Sequence, residues 1–159
     1  MNWSGFEAAA PELAARVRAR FEATGLSLMA TVRRDGSPRI SPVEAFFDGT
    51  DVWLGMMDAS LKARDLQRDP RLALHSATAD KNVAEGDAKL AGRAVEVTDA
   101  GGIARFVAVT SAVLGGAPPE PFHCFTVDIT EASFLMPAGD HLDIDIWTEG
   151  SAPRRIERR

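Results

Sequence analysis

The chain has 159 residues, 45 % hydrophobic and 26 % charged, with one cysteine and no tyrosine. That length and balance exclude disorder, collagen-like repeats and any need for disulfide or zinc staples. A net charge of −5 argues against a nucleic-acid partner, and no apolar run approaches the roughly 18 residues of a membrane span.

The first element is an amphipathic helix over about residues 7–24. Phe6, Ala10, Leu13, Val17 and Phe21 recur at three- and four-residue spacing, Pro11 suits a first turn and Gly25 a stop. Period two follows, with Leu28, Ala30 and Val32 on one face of a strand that ends at the hairpin turn Asp35-Gly36. A second strand is expected over 38–47 and a third over 52–57, which together make a three-stranded meander. A short helix then begins near Ser60 and stops at Asp69-Pro70.

The fourth strand is expected over 71–76, followed by a polar loop over 77–87 and a fifth strand over 88–98. Gly92 inside that strand signals a bulge or a close backbone approach. Ile103, Phe106, Val107, Thr110, Val113 and Leu114 restore helical spacing until Gly115 to Pro121 breaks it. A final hairpin over 122–134 and 141–147 turns around Pro137-Ala138-Gly139-Asp140, and the remainder reads as a polar basic tail. Seven strands with few helices to cover a flat sheet favour a closed or nearly closed antiparallel barrel. The expected fold is therefore α+β, one domain over 1–159, with the barrel over 26–148 and the tail over 149–159.

Most familiar chemistry is missing. There is no glycine-rich dinucleotide loop, no phosphate-binding loop with a lysine, no zinc-protease helix and no nucleophile elbow. His75, His123 and His141 lie far apart, and the alternating Asp140, Asp143 and Asp145 lack the glycine and glutamate of a calcium loop, so no metal is expected. Cys124, in a Phe-His-Cys-Phe strand context, reads as a buried inert thiol. Absence of a signal peptide and of disulfides points to a reducing, cytoplasmic setting.

The informative segment is Ser60-Leu61-Lys62-Ala63-Arg64-Asp65-Leu66. Ser60 can cap the helix, while Lys62 and Arg64 place cations at the end where the macrodipole disfavours them. An anion such as a phosphate reconciles that arrangement; a serine cap with solvated basic residues is the plainer alternative. Arg39 and Ser41 share one strand face that is either solvent-facing or ligand-facing. Trp147-Thr148-Glu149-Gly150 and the arginines after it pose the same choice.

Three blocks, taken in order, resemble the pyridoxamine 5′-phosphate oxidase-like, flavin-binding split-barrel superfamily. They are Ala30-Thr31-Val32 with Asp35-Gly36-Ser37-Pro38-Arg39-Ile40-Ser41-Pro42-Val43, Ser60 to Leu66 with Arg68-Asp69-Pro70-Arg71-Leu72-Ala73-Leu74, and Leu90-Ala91-Gly92-Arg93-Ala94. The resemblance implies a split β-barrel and a homodimer with cofactor sites at the subunit interface. It places Arg39, Ile40 and Ser41 along the ribityl and phosphate side of the cofactor, and Leu54, Gly55 and Met56 along the isoalloxazine. Ser60 and Lys62 would hold the phosphate, with Trp147 and Arg154 supplied by the partner subunit.

The oxidase itself has a hydroxyl residue where Met56 falls, a lysine where Glu44 falls and a substrate-binding tyrosine that this chain lacks. Genuine pyridoxamine 5′-phosphate oxidase activity is therefore not expected. The chain looks more like the flavin- or deazaflavin-dependent reductases, some of which bind coenzyme F-420 in place of flavin mononucleotide (FMN). What the resemblance implies is a flavin-dependent oxidoreductase with a small-molecule substrate and a nicotinamide or deazaflavin electron donor. The alternative it allows is a non-catalytic flavin-, haem- or tetrapyrrole-binding protein; no catalytic residue is singled out.

Overall fold

A computed structural model describes residues 1–78 and 80–159. Among the described residues, four helices and nine strands follow in the order α1 (Trp3–Ala9), α2 (Pro11–Thr24), β1 (Ser27–Val32), β2 (Pro38–Val43), β3 (Ala45–Phe47), β4 (Val52–Met57), α3 (Leu61–Arg68), β5 (Arg71–Ser76), β6 (Asp87–Glu96), α4 (Ala100–Leu114), β7 (Phe122–Ala138), β8 (His141–Thr148) and β9 (Arg154–Arg158). Ala79, within the expected polar loop, lies outside the described residues. No helix among the described residues is long and apolar enough to cross a membrane.

All strand pairs are antiparallel, and the main path runs β2-β1-β5-β6-β7-β4-β3. The two ends of that path, β2 and β3, are joined through Glu44 alone. One residue spans only about 7 Å between its neighbours' Cα atoms, so the sheet has to curl until its edges nearly meet. The result is an antiparallel barrel. β7 leaves it part-way: Phe122 to Thr126 pair with β4, and Glu131 to Ala138 pair with β8.

Three expectations need correction. The N-terminal helix is two helices, because the backbone departs from helical geometry at Ala10, directly before Pro11. The second strand is two strands: it bends at Glu44 and exchanges β1 for β4 as its partner, so no simple meander forms. The basic tail is not a tail. Arg154 to Arg158 pair with β8 as a ninth strand, and Arg155 bonds Asp145 at 2.8 and 2.9 Å.

The core follows from the periodicities. Trp3, Phe6, Leu13, Ala14, Val17 and Phe21 of the N-terminal helices plug the barrel against Met29, Leu54, Leu90, Ile129 and Trp147. Gly25, at φ 64°, ends α2 in the left-handed region, where a side chain is strained. A second cluster, Phe46, Trp53, Phe106 and Cys124, lies where α4 packs on the outside of β4 and β7. Gly92 does mark a bulge, with the register shifting between Ala91 and Gly92. A Cβ there would sit 2.1 Å from the carbonyl oxygen of Asp128.

Candidate functional site

Ser60 ends the turn after β4 in extended geometry, and its Oγ accepts a hydrogen bond from the Ala63 N–H at 3.3 Å, so it is the N-cap of α3. The first turn of α3 contains no acidic residue. Lys62 is half-buried and donates from Nζ to the Pro42 carbonyl at 2.6 Å. Burial pushes its ammonium below the usual lysine value, against the opposing pull of Glu44. This cation is thus held in a place that costs it hydration, between the helix start and the bend at Glu44.

Behind it, Asp65 is 4 % exposed and accepts from Arg39 Nε at 2.6 Å, Arg68 Nη2 at 3.1 Å and Thr31 Oγ1 at 3.1 Å. Burial works against its charged form, but those three hydrogen bonds outweigh it and hold the carboxyl below its ordinary range. Arg39 is therefore committed to Asp65. A groove of about 550 Å3 opens over this cluster, lined by Arg33, Arg34, Arg39, Arg64 and Arg68 with Asp35 and Asp65. Asp65 is occupied by two of those arginines, and Asp35 bonds within its own turn to Ser37 at 2.6 and 3.0 Å. The groove is thus rich in positive charge on an acidic chain.

A different pocket, about 390 Å3, lies between the end of β4 and α4. Gly55, Met56, Met57 and Phe46 form its floor, Phe106 and Phe122 its walls, and Gly115 to Pro119 its rim. Arg105 fixes α4 over it, with Nη2 2.6 Å from Asp48 and 2.8 Å from Asp51 and the guanidinium 5.2 Å above the Trp53 ring. Gly55 permits that approach, since a Cβ there would meet Phe106 at 2.7 Å.

The expected site residues divide into groups. Ser60 and Lys62 stand together at the start of α3, while Gly55 and Met56 line the apolar pocket. Arg39 reaches α3 through Asp65 and Ser41 lies two residues further along the same strand, but Ile40 points the other way, 72 % exposed on the outer sheet face. Leu54 is fully buried in the barrel core and offers no side-chain surface. Trp147 is 1 % exposed against Phe6, with ring centroids 4.9 Å apart and an indole N–H that has no hydrogen-bond partner. It is a core residue here, with no face free for a cofactor or a second subunit. Arg154 lies exposed on β9, away from α3 in the sheet order.

Sequence reasoning missed Arg33, Arg34, the rim of the apolar pocket, and α4 as its wall. It also missed a cluster on β8 and β9: His141, Asp143 and Glu157 each bring one ligand atom within 4.8 Å of the others. Arg155 already places a guanidinium 3.2 Å from Asp143 there. Cys124 is buried and donates to the Val97 carbonyl at 3.4 Å. Burial, with the negative charges of Glu96 and Asp99, pushes its thiol up to about 11, which makes it unreactive.

Residues 13–136 match the family model of pyridoxamine 5′-phosphate oxidase. No curated protein matches the chain. Among solved structures, PhzG from Burkholderia lata, in complex with tetrahydrophenazine-1-carboxylic acid, aligns with TM-score 0.68 at 14 % identity over 95 % of this chain and 93 % of that one. A pyridoxamine 5′-phosphate oxidase-related, FMN-binding protein from Nostoc punctiforme aligns with TM-score 0.65 at 14 % identity, covering 94 % and 95 %. A haem-binding protein from Mycobacterium smegmatis aligns with TM-score 0.61 at 20 % identity over 84 % of this chain, which spans only 57 % of that protein. These likenesses establish a shared split-barrel fold.

Proposed function

The chain belongs to the pyridoxamine 5′-phosphate oxidase family, and from that premise we propose that it binds a flavin and acts as an oxidoreductase, with FMN or the deazaflavin F-420 as cofactor. The observation that carries the reading is the partly desolvated Lys62 at a capped helix start with no acidic residue in its first turn. The residues present fit such a group. Ser60, Lys62 and the free N–H groups of the first turn of α3 hold the phosphate. Arg64 adds charge from the same helix, and Ser41 lines the approach.

The apolar pocket at Gly55 and Met56 adjoins that site through Glu44 and keeps water from the ring. Bound there, the flavin supplies the hydride chemistry; the chain supplies binding, orientation and a dry wall. Arg39 acts through Asp65, fixing β2 against α3, rather than by touching the phosphate.

The outer face of β2, β1, β5 and β6 supports a second copy as partner. Leu28 is 45 % exposed and Ile40 72 %, and with Ala30, Ala73 and Ala91 they border an apolar hollow of about 500 Å3. A contiguous exposed apolar area of this kind marks an interface.

Haem or another tetrapyrrole is the second reading, supported by the fold shared with the mycobacterial haem-binding protein. The test is the absorption spectrum of the freshly purified protein, with mass spectrometry of any released molecule, before and after incubation with FMN, F-420 or haem. Flavin bands that are retained by the parent protein and weakened at least ten-fold by Lys62→Ala support the proposal. A Soret band, or flavin affinity untouched by Lys62→Ala, overturns it.

A further inference from the structure

The apolar pocket between β4 and α4 has its own charge selectivity. Of the residues that line it, Glu44 alone is ionisable. The rings of Phe46, Phe106 and Phe122 and the exposed thioether of Met57 make up most of the wall. Its one hydroxyl, on Thr110, is already used, donating to the Phe106 and Val107 carbonyls of its own helix at 2.9 and 3.2 Å. Lys62, the cation that feels Glu44, directs Nζ at the Pro42 carbonyl instead of into the pocket.

An anionic ligand entering here loses hydration, finds no cation on the wall and meets a like charge at the bend. A cation gains in two ways. Glu44 attracts it, and the phenyl rings of the wall with the Met57 sulfur favour a positively charged planar group. A cavity of about 390 Å3 is of the size that encloses a compound of two or three fused rings.

We propose that this pocket selects a planar aromatic cation, such as a protonated aromatic amine or a pyridinium, and that Glu44 sets the selectivity. The proposal deepens the flavin reading by naming the substrate class of that site, and it rests on that reading only for the word substrate. Charge selection itself needs no flavin.

Fluorescence titration of the purified protein with proflavine, a cation, and with acridine-9-carboxylate, an anion on the same ring system, tests it. Proflavine is expected to bind at least ten-fold more tightly. Glu44→Gln should lower proflavine affinity five-fold or more and leave the carboxylate unchanged or improved. Leu114→Lys, at a half-exposed position on the opposite wall, should weaken proflavine without disturbing folding. Equal or tighter binding of the carboxylate, or proflavine affinity indifferent to both substitutions, overturns the proposal. Charge preference without FMN uptake counts against the flavin reading alone; FMN uptake without charge preference counts against this proposal alone.

Discussion

Arg39 donates from Nε to Asp65 Oδ2 at 2.6 Å, a bond between a strand and a helix 26 positions apart. With Arg68 and Thr31 on the same carboxylate, it makes Asp65 the polar centre that locks α3 against the β1–β2 hairpin. The arginine that looked free for a ligand is thus part of the scaffold.

Asp65→Asn keeps the shape and removes the charge. Truncating a hydrogen-bonded buried charge costs about 1–3 kcal/mol, with the discount appropriate to arginines that are partly exposed. Because the folded carboxyl titrates below its unfolded value, its contribution is fully present above about pH 4 and is lost as the pH falls through the folded value. Urea unfolding should therefore separate parent and variant at pH 7 and bring them together towards pH 3. A gap that persists undiminished in acid would contradict this account.

Lys62 offers the opposite combination. Its ammonium is held in a partly desolvated place that lowers its pKa, so the folded chain binds its proton less strongly than the unfolded chain does. Lys62→Met should leave the urea midpoint at pH 7 unchanged or raised while FMN affinity falls at least ten-fold. Loss of both together would make Lys62 a structural residue.

Two glycines are tight for different reasons, and alanine should tell them apart. At Gly92 the added Cβ meets the backbone carbonyl of Asp128 at 2.1 Å, and the strand has no room to yield. At Gly55 it meets the far edge of the Phe106 ring at 2.7 Å, and a side chain can shift. Gly55→Ala is expected to cost about 1–3 kcal/mol, and Gly92→Ala more. Phe106→Leu should rescue the former in thermal denaturation and do nothing for the latter.

All residues of β9 are exposed, and such an edge is a template for pairing with another chain unless charge prevents it. Arg154→Thr with Arg158→Thr removes two of those charges and touches no ion pair. Stability should change by less than about 0.5 kcal/mol, whereas light scattering at high protein concentration should rise. Unaltered scattering would mean that the arginines do not guard the edge.

Much of the fold was legible because its punctuation is local. Ser60 and Asp69-Pro70 bracket α3, and Asp35-Gly36 fixes the first hairpin. The bend at Glu44 was hidden for a physical reason: Val43, Ala45 and Phe47 keep their alternation through it, so partners change without any change of pattern. β9 was hidden because it packs nothing; it is held by backbone pairing and by Arg155 on Asp143 and Asp145, and composition alone reads it as solvated.

The cap of α3 at Ser60, with Lys62 in its first turn, was visible since a helix start announces itself within four residues. The engagement of Arg39 was not, as it depends on a helix that arrives 26 residues later. The burial of Trp147 was not legible because a tryptophan that fills a core and one that stacks on a ring look the same in sequence.

The sheet order also bears on how the chain is made. β3 and β4 complete the barrel only by pairing with the first part of β7, which leaves the ribosome more than 60 residues after β4. Until then the nascent chain holds Val52, Leu54 and Met56 on a strand whose central partner does not yet exist. Local pairing of β1 with β2 can form early, but closure must wait for nearly the whole polypeptide. Synthesis therefore includes an interval in which an apolar strand edge is uncovered, and a truncation anywhere before β7 should yield a chain that chaperones retain rather than a smaller folded unit.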